Sequence, residues 1–164
     1  MKQWFLIVAV AAAVVLGCSN EAQNSTGEKA KPFSLKTIEG GTVTLNDYKG
    51  KVLILDIWDT WCPPCRMEIP HFVDLYKEYK SSGLEILGVA VGREGIEKVK
   101  KFVADNGVTY TNAIVTKEFL DAYGPIEGIP TTFVIDGKGQ VARKYTGYRG
   151  REVFEADFKA LRAK

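Results

Sequence analysis

The chain has 164 residues, 46% of them hydrophobic and 26% charged, with a formal net charge of +2. That is enough for one folded domain with appendages and for an ordinary globular core. A balance so close to neutral gives no reason to expect nucleic acid as a partner.

Met1-Lys2 supplies a short positive start, and residues 4–16 form an apolar run without charge. The run is too short for a comfortable membrane span and has the size of a secretory signal core. Val15-Leu16-Gly17-Cys18 resembles a bacterial lipobox, with Val where Leu is more usual. That resemblance implies cleavage before Cys18 and lipidation of it; an ordinary secretory signal with an incidental cysteine is the alternative. Residues 19–30 are rich in Ser, Asn, Gln, Glu, Lys and Gly and read as a flexible tether. The expected division is a lipoprotein signal peptide at 1–17, lipidated Cys18 and tether at 18–31, and one domain at 32–164.

Within the domain, residues 33–38 and 42–45 flank Glu39-Gly40-Gly41 and predict a hairpin. A turn at 46–50 leads into Val52-Leu53-Ile54-Leu55-Asp56-Ile57-Trp58, whose near-continuous apolar character predicts a central, parallel-type strand buried on both faces. Pro63 suits the first turn of a helix, and Met67, Phe72, Leu75, Tyr76 and Tyr79 recur at helical spacing, with Pro70 expected to kink it. A strand at 84–91 follows, then a helix through Ile96, Val99, Phe102 and Val103, a weaker strand at 110–115 and a short helix at 117–123. A strand at 131–135, the turn Asp136-Gly137-Lys138-Gly139, a strand at 141–145 and a helix at 151–162 complete the chain. Strands alternating with helices give an α/β fold with a mixed sheet.

There are three cysteines. If Cys18 carries lipid, Cys62 and Cys65 remain as one pair in a core too large to need a disulfide staple, so the pair reads as reactive. Export places it in a disulfide-permissive setting. In Trp61-Cys62-Pro63-Pro64-Cys65 the two thiols lie on one helical turn, and the first faces the unpaired N–H groups and positive dipole end of the helix. A thiolate so placed can attack another disulfide. Cys62 is therefore the candidate nucleophile, expected to be the more exposed, and Cys65 the resolving thiol.

Trp58-x-x-Trp61-Cys62-Pro63-Pro64-Cys65-Arg66 and Gly128-Ile129-Pro130-Thr131-Thr132-Phe133, with an extra helix–strand segment at about 96–115 between them, resemble the TlpA/ResA-like disulfide reductases. The resemblance spans about residues 33–161. It implies a thioredoxin fold with an N-terminal β-hairpin and a central helix–strand insertion. It implies a cis bond before Pro130, and an Ile129 backbone that pairs with an extended substrate strand. Trp61, Pro64, Ile129 and Pro130 are expected to form an apolar collar around the exposed sulfur.

Cys65 needs a base. Glu68, three residues further on, matches an acidic position of that family, and Asp56, six residues before Cys62, matches the buried acid of ordinary thioredoxins. Asp56, inside an apolar strand, is expected to have a raised pKa. Asp59 stands where the family has small residues, and its charge is expected to raise the Cys62 pKa. Pro64 offers no N–H to the Cys62 sulfur, which favours a reductant over an oxidant. Trp58 is expected in the core, His71 on a helix surface, and Arg143, Lys144, Arg149 and Arg151 on a solvated face. The resemblance implies protein disulfides as substrates, apocytochrome c among them, a membrane thiol-shuttling electron donor, membrane attachment through lipid and no cofactor or metal. The competing readings are a peroxiredoxin-like peroxidase, whose cysteine motif differs, and a thioredoxin-fold copper carrier, whose cysteine spacing and downstream histidine differ.

Overall fold

The computed structural model describes residues 27–162. The signal segment, Cys18 and most of the expected tether lie outside the described residues. In chain order the elements are β1 (Ser34–Lys36), β2 (Thr42–Thr44), β3 (Val52–Trp58), α1 (Pro63–Tyr79), β4 (Leu84–Ala90), α2 (Ile96–Asp105), β5 (Thr111–Ile114), α3 (Lys117–Tyr123), β6 (Thr131–Ile135), β7 (Val141–Thr146) and α4 (Arg151–Arg162). Among the described residues no helix is long and apolar enough to cross a membrane.

All seven residues of β3 are buried, as its unbroken apolar run requires. It is the middle strand of the order β5-β4-β3-β6-β7. It pairs parallel with β4 and antiparallel with β6, so only one of its two ladders is of the parallel type. The segment α2–β5 adds a parallel edge strand beyond β4, which is the expected helix–strand insertion. β1 and β2 form the expected separate hairpin. The turn expected after β2 begins as a 3₁₀ helix, Leu45–Tyr48.

The two-residue period of a strand sorts the core into two halves. Val52, Ile54 and Trp58 face α1 and α4 and pack with Phe72, Leu75, Phe154 and Phe158. Leu53, Leu55 and Ile57 face the other way and pack with Phe33, Leu35, Phe119 and Tyr123. Asp56 shares the parity of Ile54 and Trp58, so its carboxyl lies on the α1 side. Register then aligns it with other polar residues. Asn112 stands beside Gly88, Gly88 beside Asp56, Asp56 opposite Thr132 and Thr132 opposite Tyr145. A polar row thus crosses the apolar sheet from edge to edge.

Gly88 leaves space in that row for Trp58 Nε1 to donate to Asn112 Oδ1 at 3.2 Å. A Cβ there would sit 2.3 Å from Asn112 Oδ1 and 2.8 Å from Trp58 Nε1. Gly88→Ala is expected to break that bond and overpack the site, lowering stability by about 2–4 kcal/mol in urea unfolding. A loss under about 0.5 kcal/mol, the range of inert surface changes, would contradict this.

Several expectations need correction. Met67 is 60% exposed and Ile96 41%. The buried stripe of α1 is instead Cys65, Glu68, Ile69, Phe72, Leu75 and Tyr76, which repeats every three or four residues and leaves Met67 outside it. Pro70 lies inside α1, where the sequence placed it, and is exposed. Residues 28–30, read from sequence as tether, join the domain. Ala30 N–H donates to Gly139 O and Val141 N–H to Glu28 O, both at 2.8 Å, because the β6–β7 hairpin leaves those backbone groups open at its edge.

Candidate active site

Cys62 and Cys65 form a disulfide at the start of α1, with Cα atoms 5.3 Å apart. Pro63 and Pro64 occupy the first helical positions, where a missing N–H costs nothing, and Cys62 is the N-cap. The Cys65 N–H donates to Cys62 Sγ at 3.2 Å. The sulfur therefore does the work usually done by a capping oxygen. Pro64 cannot add a second donor.

The Ile129–Pro130 peptide is cis, as the resemblance implied, and brings the Ile129 carbonyl to 3.5 Å from Cys62 Sγ. A second cis bond, Gly124–Pro125, was not anticipated. Pro64 and Ile129 are half-buried and Pro130 is buried. Trp61 is 44% exposed, with the Arg93 guanidinium 5.2 Å from its ring centre. Beside the disulfide lies a groove of about 460 Å³, lined by Trp61, Arg93, Pro125, Ile126, Glu127 and Ile129 among others. The expectation of an exposed Cys62 sulfur is not met in the disulfide form. Cys62 is only 2% exposed, because the Ile129 loop covers it.

Both candidate acids are buried, Asp56 on β3 and Glu68 on α1. Asp56 is buried and accepts a hydrogen bond from Thr132 Oγ1 at 3.1 Å. Burial, and next the charge of Glu68, push its carboxyl well above the ordinary range, against the pull of the Thr132 bond. Glu68 is fully buried, one turn past Cys65 on the same stripe of α1. Its Oε1 accepts the Arg149 N–H at 2.8 Å. Burial pushes it up to about 7, against the hydrogen bond and charge of Arg149.

Asp59 is buried as well. Its carboxylate accepts the N–H of Thr60 at 2.7 Å and that of Arg93 at 3.2 Å. It fastens the loop after β4 to the turn before Cys62, a bracing role that sequence reasoning did not assign. Trp58 is in the core, as expected. His71 Nε2 lies 3.0 Å from the Tyr148 hydroxyl rather than with the cysteines.

The basic cluster is not a plain solvated face. Arg143 pairs with Asp157, Arg151 with Glu78 and Glu155, and the Arg149 backbone holds Glu68. Glu78 of α1 and Glu155 and Asp157 of α4 meet that surface, so Arg143 and Arg151 are charge-paired. Thr132, Arg93 and Arg149 were the site residues missed. Only Thr132 carried a local signal, standing two places after Pro130 on a strand.

A thioredoxin fold whose central strand delivers a Cys-Pro-Pro-Cys disulfide to a cis-proline loop defines a thiol–disulfide oxidoreductase. Residues 26–144 match the AhpC/TSA family. Thiol-disulfide oxidoreductase ResA of Geobacillus thermodenitrificans is 37% identical over 139 residues, 84% of this chain and 79% of the relative. ResA of Bacillus subtilis is 40% identical over 124 residues, 75% and 68% of the two chains. The crystal structure of a thiol:disulfide interchange protein of the thioredoxin family from Chlorobium tepidum superposes with TM-score 0.78 at 35% identity, covering 83% of this chain and 97% of that one. The chain belongs to the AhpC/TSA family and, within it, to the ResA-like thiol–disulfide oxidoreductases.

Proposed function

We propose that the protein is an extracytoplasmic reductant of protein disulfides, held to a membrane by lipid on Cys18 and the segment that follows. The observation that carries the reading is the Cys62–Cys65 disulfide capping α1 beneath the cis Ile129–Pro130 bond. Cys62 is the sulfur that exchanges with the partner. It stands at the helix N-terminus, where N–H groups and dipole favour its thiolate. Cys65, fully buried, resolves the mixed disulfide, and Glu68 and Asp56 supply its base. Trp61, Pro64, Ile129 and Pro130 receive the partner strand along the groove beside Cys62.

Heme-site disulfides of apocytochrome c are the substrate class that the motif resemblance implies, with electrons drawn from a membrane thiol-shuttling protein. The lipobox-like Val15-Leu16-Gly17-Cys18 supports the anchor. The peroxidase reading is the weaker one, since Cys62 is committed to a partner three residues away.

The direction of electron flow is tested by the reduction potential of the pair. A value near the thioredoxin end of the scale, roughly −270 mV, is expected; one near that of the dedicated oxidant, roughly −120 mV, would refute the reductant role. The reduced protein should also open the cystine of a peptide carrying an apocytochrome heme-attachment site.

A further inference from the structure

We propose that the end of the domain bearing Lys29, Lys49, Lys51 and Lys138 docks on the anionic phospholipid headgroups of the membrane that holds the chain, an inference resting on lipid at Cys18 as read above.

Sheet topology gathers that end. β3, β4 and β5 run parallel, so α1, α2 and α3 all begin past one end of the sheet, where the disulfide also lies. The residues leading into β3 and the β6–β7 turn lie at the opposite end, because β6 runs antiparallel to β3. Gly50 N–H donates to Gly137 O at 3.0 Å and joins the two. Lys29, Lys49, Lys51 and Lys138, all exposed, surround a depression of about 220 Å³ there. A second depression, of about 260 Å³, shares Lys51, Asp136 and Lys138 with the first and adds Arg162. The cations thus belong to one continuous face.

The acids at this end are already engaged. Asp136 accepts the N–H groups of Lys138 and Gln140 at 2.9 and 2.8 Å, which holds the turn. Asp47 accepts the Thr44 N–H at 2.7 Å. Glu85 pairs with Lys51 at 2.6 Å, and Glu28 with Lys31 at 2.8 Å. Among the described residues Lys29, Lys49 and Lys138 make no ion pair. A lysine is a compact charge on a flexible stem, so several can settle onto a surface without a fixed geometry. Spread over an open face, they match a field of headgroups, each being worth about fivefold in binding when close to it.

Chain length favours the membrane as the occupant. Residues 28–30 are stitched to the β6–β7 turn, so the chain enters the domain at this end. Cys18 stands nine residues before Gly27. Nine residues span at most roughly 30 Å, so lipid on Cys18 keeps the lysines near the headgroups whatever path the chain takes. Salt screens charge over about 8 Å at physiological strength, so the attraction acts fully only on contact.

The test uses the full chain, lipidated on Cys18, in vesicles of phosphatidylcholine alone or with phosphatidylglycerol added. A dye on Gln140→Cys is quenched near contact by spin-labelled headgroups. Gln140 is exposed between β6 and β7, and in the disulfide form only the new thiol takes the dye. Quenching should be stronger in the anionic vesicles and fall as salt rises toward ~1 M, where screening shortens to ~3 Å. Lys29→Gln, Lys49→Gln and Lys138→Gln together should lower the docked-to-free ratio by ~10²-fold, at about fivefold per lysine. Arg at the same three positions keeps the charge and should stay within about twofold of wild type. Lys98→Gln with Lys117→Gln removes charge from the starts of α2 and α3 and should leave quenching unchanged. The triple Gln variant should match wild type in thermal unfolding and in exchange with a small soluble cystine, because its lysines line no part of the groove beside the disulfide. Equal quenching in both vesicles, or a triple Gln variant quenched like wild type, overturns the docking face. So does an equal loss in Lys98→Gln with Lys117→Gln, which would mark a response to net charge alone. Cys18 found without lipid by mass spectrometry would instead defeat the anchor reading, and quenching of the Cys18→Ser chain would then decide the docking by itself.

Discussion

Cys65→Ser should bring exchange to a halt with the partner still attached to Cys62. The structure separates the two sulfurs by their surroundings. Cys62 caps α1, accepts the Cys65 N–H and lies between Trp61 and the Ile129 carbonyl, two residues that line the groove. Cys65 is fully buried on the α1 stripe that continues to Glu68. Removing the inner thiol leaves the outer one able to attack but removes the group that expels the partner. A mixed disulfide should therefore accumulate, stable to gel analysis without reductant and released by added dithiol. Cys62→Ser removes the attacking sulfur itself, and exchange should fall by ~10³-fold or more, the scale on which loss of a covalent nucleophile acts. The reverse pattern, with adducts on Cys65 in a Cys62→Ser protein and none in Cys65→Ser, would invert the assignment.

Glu68→Gln should exchange speed for stability in a way that depends on pH. In the folded protein the Glu68 carboxyl is raised to about 7 from an ordinary 4.5, chiefly by burial. A folded pKa above the unfolded one means that the native state holds the proton more tightly. Its contribution is thus complete below about pH 4.5 and is lost as pH rises toward 7. The loss amounts to about 3 kcal/mol at ~1.4 kcal/mol per pKa unit. Asp56, raised in the same direction, adds to the same slope. Glutamine cannot ionise, and its oxygen can still accept the Arg149 N–H. The disulfide form of Glu68→Gln should therefore lose less stability than wild type between pH 5 and pH 8 in urea unfolding. Partner release at pH 7 should meanwhile slow by ~10²-fold, the lower end for a lost general base. Parallel stability curves for the two proteins would show that Glu68 is not held protonated by its burial.

Much of this was legible in the residues because local signals agreed with one another. The run from Val52 to Trp58 could only be an interior strand, and Pro63 and the glycine after Ser82 marked both limits of α1 and its 3₁₀ extension. The cysteine pair and the Ile129-Pro130 loop each carried their own motif. What escaped notice depended on registers between distant strands. Nothing local in Thr132 says that it stands opposite Asp56, or in Gly88 that it leaves room for Asn112 and Trp58. The exposure of Cys62 was misjudged because its cover comes from a carbonyl 67 residues downstream. Arg149 entered the site through its backbone, which no side-chain motif records.

The first described stretch of chain, residues 28–30, is stitched to the turn between β6 and β7, which lies at the Val52 end of β3. The sulfurs lie past its Trp58 end. A strand of that length spans roughly 20 Å, at about 3.3 Å per residue. Any mooring upstream therefore pulls on the far end of the molecule. Under the lipid attachment proposed on Cys18, the reactive tip would face away from the point of attachment.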